Sequence, residues 1–225
     1  MIGPYLARIE AHADPERARG MAAYHKADRP YLGVPNPVLN ALTQDWRRRL
    51  DPDSRLRLAD ALWRADIHET RLAAAKLLTQ TRIEPDAAVW ALIRGWVPEF
   101  DAWAVSDHAC MAGQKRLVAE RARLDEVDTW TRSDHMWTRR AALVMTLPWA
   151  RMPDPGPQDR ARRERILGWA ARYASDPDWF IQKAVAWWLR DLSKRDASQV
   201  RAFLDAHGAA MKPFARKIAG TYLNR

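Results

Sequence analysis

Apolar residues recur at three- and four-residue spacing along almost the whole chain, and clusters of Asp, Ser and Pro interrupt them at short intervals. An apolar period near 3.6 predicts amphipathic helices, and each needs a neighbour to cover its apolar stripe. The pattern predicts helices near 2–11, 14–27, 37–50, 53–65, 68–80, 86–96, 99–112, 114–131 (broken within), 135–149, 159–174, 178–194, 196–206 and 212–223. The breaks "ADPE" (13–16), "DPDS" (51–54), "EPD" (84–86) and "SDPD" (175–178) place Asp or Ser at N-cap positions and Pro in the first turn. No alternating strand pattern occurs beyond a weak extended piece at "YLGVP". The loop "PDPGPQD" (153–159) is short and lies between helical runs, so residues 1–225 are expected to form a single domain. Short helices joined by tight turns predict stacked pairs of ~30–40 residues, the range of helical repeats. The expected fold class is therefore all-α, an α-solenoid of HEAT-like repeats with a concave face. A compact irregular bundle is the alternative.

In the 225-residue chain, 48% hydrophobic and 29% charged residues suffice for a packed core and argue against disorder. The 37 Lys and Arg against 28 Asp and Glu give a formal charge of +9. Such an excess draws a protein to polyanions, nucleic acid first, although a basic solvated surface without a specific partner has the same charge. The single Cys110 excludes an internal disulfide and a Cys-rich zinc site. His12, His25, His68, His108, His135 and His207 form no HxxxH or HExxH pair, so no metal or other cofactor is expected. No secretory signal and no apolar run of membrane-spanning length is visible, which points to a cytoplasmic, bacterial setting without a membrane partner.

The stretch "FIQKAVAWWLRDLSK" (180–194) contains adjacent tryptophans. At about 100° per residue, Ile181, Val185, Trp188 and Leu192 fall on one narrow stripe flanked by Ala184 and Leu189, so Trp188 belongs to the core. Trp187 lies about 130° away, beside Lys183, Arg190 and Asp191, with Lys194 a turn beyond. Two readings are open for Trp187. It packs under a neighbouring helix, or it meets the sugar or base of a ligand whose phosphates engage the cations.

In "PEFDAWAVSDHACM" (98–111), Trp103 and Asp107 are one helical turn apart and share a face, with Phe100, Ala104 and Met111 marking the adjoining apolar side. A carboxylate at that edge either pairs with a cation or stabilises positive charge developing on a substrate. In "SDHMWTRRAALVM" (133–145), Trp137, Ala141, Val144 and Met145 form the core stripe. Arg140 flanks it, suited to a phosphate or to Asp107, while Arg139 is expected to be solvated. "YHKADRPYLGVPNP" (24–37) puts Tyr24 at a helix end before a Pro-bounded loop, and loops of this kind position side chains.

Together, "AYHKADRPYLGVPNP", "WAVSD", "MWTRRAAL" and "FIQKAVAWWLRDLSK" resemble the AlkD-like DNA alkylation repair family of HEAT-like repeat DNA glycosylases, in order and from about residue 20 to 195. The resemblance implies a C-shaped solenoid whose basic concave face holds duplex DNA, and excision of cationic N3- and N7-alkylpurines in base excision repair. It matches Trp103, Asp107 and Trp187 to the family's catalytic trio, and Tyr24 and Arg140 to its nucleotide- and phosphate-contacting positions. Lys183, Arg190 and Lys194 are further candidates for DNA contacts. The family's second acidic residue, directly after the first Trp, is Ala104 here. The expected partner is double-stranded DNA carrying alkylated purines, such as 3-methyladenine, 7-methylguanine or bulky adducts. A monomer is expected, associated with the nucleoid through DNA. A non-catalytic DNA-binding relative and a protein-binding HEAT scaffold with Trp187 as interface anchor are the alternatives.

Overall fold

The computed structural model describes residues 2–223, which contain α-helices, three short 3₁₀ turns and no strand. The chain divides into two compact units, one running to Glu120 and one beginning at Arg121.

The first unit comprises α1 (Gly3–Glu10), α2 (Pro15–His25), α3 (Asn36–Arg49), α4 (Pro52–Arg64), α5 (His68–Leu78), α6 (Asp86–Trp96) and α7 (Trp103–Ala119). Helix starts follow the sequence signals. Asp14 caps α2 by accepting from the Arg17 amide at 3.0 Å, and Asp51 caps α4 through Ser54 at 2.9 Å. Pro15 and Pro52 take the first helical position, where a missing N–H costs nothing. The centre of the unit is α5, packed against α3, α4 and α7. Its Ala73, Ala74 and Ala75 have no exposed surface, so small side chains let three neighbours approach one helix.

The "YLGVP" piece is extended but pairs with no strand. Its amides go to one carboxylate: Glu69 on α5, wholly buried, accepts from Leu32 (2.9 Å), Gly33 (2.7 Å) and Val34 (3.2 Å). Gly33 sits at φ +78°, and a Cβ there would stand 2.1 Å from the Asp14 carbonyl oxygen, so only glycine fits. The loop following α2 is thereby tied to the start of α5.

The second unit comprises α8 (Leu124–Trp130), α9 (Met136–Met145), α10 (Leu147–Arg151), α11 (Pro157–Arg172), α12 (Trp179–Ser193), α13 (Ala197–His207) and α14 (Pro213–Ala219). Here α12 is central, touching α9, α10, α13 and α14. Asp178 caps it by accepting from the Phe180 amide at 2.7 Å. The stripe Ile181, Val185, Trp188 and Leu192 is fully buried, as the wheel predicts, and the Trp188 indole N–H donates to the Thr146 carbonyl at 3.4 Å.

Two boundaries differ from the sequence reading. The break expected between 112 and 114 lies after Ala119, because Gly113 is buried within α7 and continues the helix. The single helix expected over 135–149 is two, α9 and α10, separated at Thr146. Pro148 has no amide hydrogen to continue the ladder, and the Thr146 hydroxyl turns back to the Ala142 carbonyl at 3.0 Å.

Candidate functional site

The first unit places Trp103 at the start of α7 and Asp107 one turn along it. Residues 104–107, 109, 110, 112–114, 116 and 117 are buried, which leaves one partly open face of α7. That face carries Trp103 and His108, half-buried, and Met111, Lys115 and Val118, exposed; Asp107, one turn after Trp103 on the same side, is itself buried at 9% exposure. Met111 is therefore not the apolar core residue that its sequence neighbourhood suggests. It lies four residues from Asp107 on the open face and is 41% exposed, whereas Phe100 and Ala104 are buried as expected.

Trp103 is backed by aromatic rings from α2 and its following loop. Tyr24, exposed at the end of α2, meets the indole edge-on with centroids 6.0 Å apart. His25 lies 5.2 Å from the indole and 4.5 Å from His68, and Tyr31 stacks on His68 at 4.7 Å. Burial pushes the His25 imidazole below its usual pKa, partly offset by Glu69, and pushes His68 down to about 3, with His25 and Arg29 nearby adding to the effect. Both rings are thus neutral aromatic packing at pH 7, and His68 is only 1% exposed. The sequence reading singled out Tyr24 but not His25, Tyr31 or His68. Three aromatic or imidazole residues flanking one loop, Tyr24, His25 and Tyr31 of "YHKADRPY", were the available signal. Ala104, where the resemblance leads one to expect a second acid, is 4% exposed, and its carbonyl accepts from His108 Nδ1 at 2.7 Å.

In the second unit, Trp187 projects from α12 half-buried, off the core stripe. Its indole N–H donates to Asp191 at 3.1 Å. Asp191, with a side chain 7% exposed, also accepts from Arg151 Nε at 2.8 Å, and the Arg151 guanidinium lies 5.9 Å from the Trp187 ring. Arg190 and Lys194 approach the same carboxylate at 3.4 and 3.9 Å. One carboxylate therefore stands among three cations, leaving a positive surplus beside an indole, and the buried Arg190 Nε has no hydrogen-bond partner among the described residues. Asp191 and Arg151 are the residues that the sequence reading missed as a pair. Asp191 is visible as the i+4 partner of Trp187, but Arg151 comes from α10 and only tertiary packing reveals it.

The remaining candidates separate from this group. The Lys183 ammonium lies 4.5 Å from the ring of Trp179, which is 47% exposed and stacked on Phe214. Arg140 is 2% exposed, donates to the Phe180 carbonyl at 2.8 Å and lies 5.9 Å from the Phe180 ring. As folded, it braces the start of α12 instead of presenting a surface cation. Arg139, expected in solvent, is mostly covered: it donates to the Ser133 and Asp134 carbonyls and pairs with Asp176 at 3.4 Å. The carbonyls before α9 and Asp176, the first Asp of the "YASDPD" turn, supply partners that no helical wheel shows.

These features define a helical-repeat protein in which each unit carries a half-covered indole, Trp103 or Trp187, with a carboxylate one helical turn further on, Asp107 or Asp191. The family model described as DNA alkylation repair enzyme matches residues 5–223, and the chain belongs to that family. Its fold is similar to a structure described as "Predicted DNA alkylation repair enzyme from Enterococcus faecalis", with 21% identity, a TM-score of 0.76, and coverage of 95% of this chain and 98% of that one. It is also similar to smu.31 from Streptococcus mutans UA159 (18% identity, TM-score 0.66, 99% of this chain and 100% of that one) and to AlkD2 from Streptococcus mutans (18%, 0.57, 100% of both). At these identities the likeness bears on the fold, which is all-helical and of the helical-repeat type expected. No curated protein sequence matches the chain. Among the described residues, no helix is long and apolar enough to cross a membrane.

Proposed function

We propose that the protein is a monofunctional DNA glycosylase that hydrolyses the N-glycosidic bond of cationic N3- and N7-alkylpurines in duplex DNA. The observation that carries this reading is the placement on α7 of a largely buried carboxylate, Asp107, one turn after the half-buried Trp103, whose indole is backed by Tyr24 and His25. An alkylated purine bearing a formal positive charge is already an activated leaving group. Breaking the C1′–N bond returns the electron pair to the purine, which departs neutral, and leaves an oxocarbenium sugar. The Asp107 carboxylate stabilises that cation and orients water for addition at C1′, and the water's proton passes to the carboxylate or to solvent. Trp103 and Trp187 offer π-faces, which favour a cationic sugar, and Asp191 with Arg151 fixes the Trp187 ring. Tyr24, Lys183, Arg190 and Lys194 are the proposed nucleotide and phosphate contacts. Arg140, matched to a phosphate contact by resemblance, is proposed to hold α12 in place. No protonated acid is needed at the base, so neutral lesions are poor substrates, and no lysine serves as a Schiff-base nucleophile. The chain is proposed to act as one functional domain, as a monomer in the cytoplasm.

The test is release of free base from duplex DNA under single-turnover conditions. The wild type should release 7-methylguanine and 3-methyladenine but not hypoxanthine. Failure to release either alkylpurine would contradict the reading. Non-catalytic DNA binding is the second reading, favoured by the absence of a carboxylate at Ala104. It predicts salt-dependent duplex binding with no base release.

A further inference from the structure

A second feature on α7 lies outside the group around Trp103. Between α3, α5 and α7 runs a cleft of about 270 Å³ whose lining includes Gln44, Arg47, Lys76, His108 and Met111. None of its lining residues is acidic. The Lys76 ammonium donates to the Asn40 side-chain carbonyl at 2.7 Å, one bond for a group with three donors. Arg47 closes the end of α5, donating to the Lys76 and Thr79 carbonyls at 3.4 and 3.1 Å, so its charge stays beside the lysine. His108 donates through Nδ1 to Ala104, and the nearest carboxylate acting on it is Asp107, its neighbour on α7.

Cations gathered in a half-buried cleft without a carboxylate are poorly compensated. Burial and the Arg47 charge lower the Lys76 pKa to about 8. Burial and the Lys76 charge likewise lower that of His108. An anion in the cleft would offset both effects. We infer that this cleft, with Lys76 as its principal ligand and Arg47 and Gln44 beside it, binds a backbone phosphodiester of the DNA whose damaged nucleotide lies at Asp107. This rests on the proposed function. Met111 is one turn beyond Asp107, about 6 Å along α7. At 3.4 Å of rise per nucleotide, the phosphate bound there belongs to a neighbour one or two nucleotides from the damaged one. The cleft thus sets the register of the strand against the carboxylate.

The experiment is fluorescence-anisotropy titration of an undamaged duplex with wild type, Lys76→Met and Lys76→Arg at pH 7 and pH 9, over a salt series. Lys76→Met should bind about three- to tenfold more weakly at pH 7 and lower the slope of log K against log salt by about 0.9, one phosphate's worth. Wild type should lose a similar factor between pH 7 and pH 9, and Lys76→Arg should hold its affinity across that range. Thermal melts establish that each variant is folded. Should Lys76→Met not fold, the comparison of wild type with Lys76→Arg across pH still decides the matter. Equal affinity and slope for Lys76→Met and wild type at pH 7 would overturn the assignment. So would Lys76-dependent binding of inorganic phosphate with duplex affinity unchanged, which would make the cleft a site for a free phosphate. If wild type releases 7-methylguanine while these variants bind DNA alike, only the cleft assignment fails. If wild type binds no duplex at all, the glycosylase reading fails with it.

Discussion

Adjacent tryptophans on α12 should respond to truncation in opposite ways. Trp188 is fully buried at the centre of the second unit, and Trp188→Ala removes its packing and leaves a cavity, at about 3–5 kcal/mol. Against a total stability of about 5–15 kcal/mol, that is a large fraction. Trp187→Ala removes a half-covered ring, one hydrogen bond to a charged acceptor worth about 1.5–3 kcal/mol, and a cation–π contact worth about 0.5–1 kcal/mol. Asp191 keeps Arg151 at 2.8 Å, so no unpaired buried charge remains and part of that loss is recovered. The net cost should be about 1–2 kcal/mol. Urea denaturation with matched m-values measures both costs, and single-turnover release of 7-methylguanine measures function. Trp187→Ala should melt close to wild type yet lose most of its release rate. Trp188→Ala should be strongly destabilised and, under conditions where it is folded, retain a much larger share of the rate. Equal destabilisation by the two variants, or an unchanged rate in Trp187→Ala, would refute the division of roles.

Asp191→Asn keeps an acceptor for the Trp187 N–H but removes the charge that collects Arg151, Arg190 and Lys194. It should slow base release about tenfold or more through a misplaced indole, a size known for small misplacements, with duplex affinity little changed. Glu69→Ala strips three amides of their acceptor and should cost at least about 3 kcal/mol in urea unfolding. Glu69→Gln, which can keep the two bonds made to Oε1, should cost less. His68 is held neutral, with a pKa of about 3 against about 6.5 when unfolded. Its contribution is therefore fully present above pH 6.5 and is lost as pH falls toward 3. Between pH 7 and 5 that loss is about 2 kcal/mol, and His68→Phe should flatten this part of the stability profile.

How much of this was legible beforehand depends on the range of the interaction. The α12 wheel needs only residues one or two turns apart, and it sorted Trp188 from Trp187 without reference to any neighbour. The Asp14 and Asp51 caps were readable for the same reason, because the capping carboxylate and the amide that donates to it lie three residues apart. The burial of Arg139 and Arg140 was not readable, since their partners Asp176 and Phe180 are 37 and 40 residues away. Met111 was misplaced because α7 is buried on several sides, so an apolar residue on its open face looks in sequence like one more core position. The helix split at Thr146 was marked by Pro148, which the periodicity alone overrode. Glu69 is a sharper case: a charged residue in "HETR" reads as a solvated first-turn acid, but it is the anchor of a loop 35–37 residues away.

The central claim is that the carboxylate of Asp107 acts on the sugar as the glycosidic bond breaks. The measurement that addresses it most directly is the single-turnover rate of 7-methylguanine release from duplex DNA by wild type and by Asp107→Asn. Both should bind the duplex with similar affinity, and the Asn variant should be slower by about 100- to 1000-fold, as for removal of a preorganised electrostatic group. Equal rates in a folded, DNA-binding Asp107→Asn protein would contradict the account.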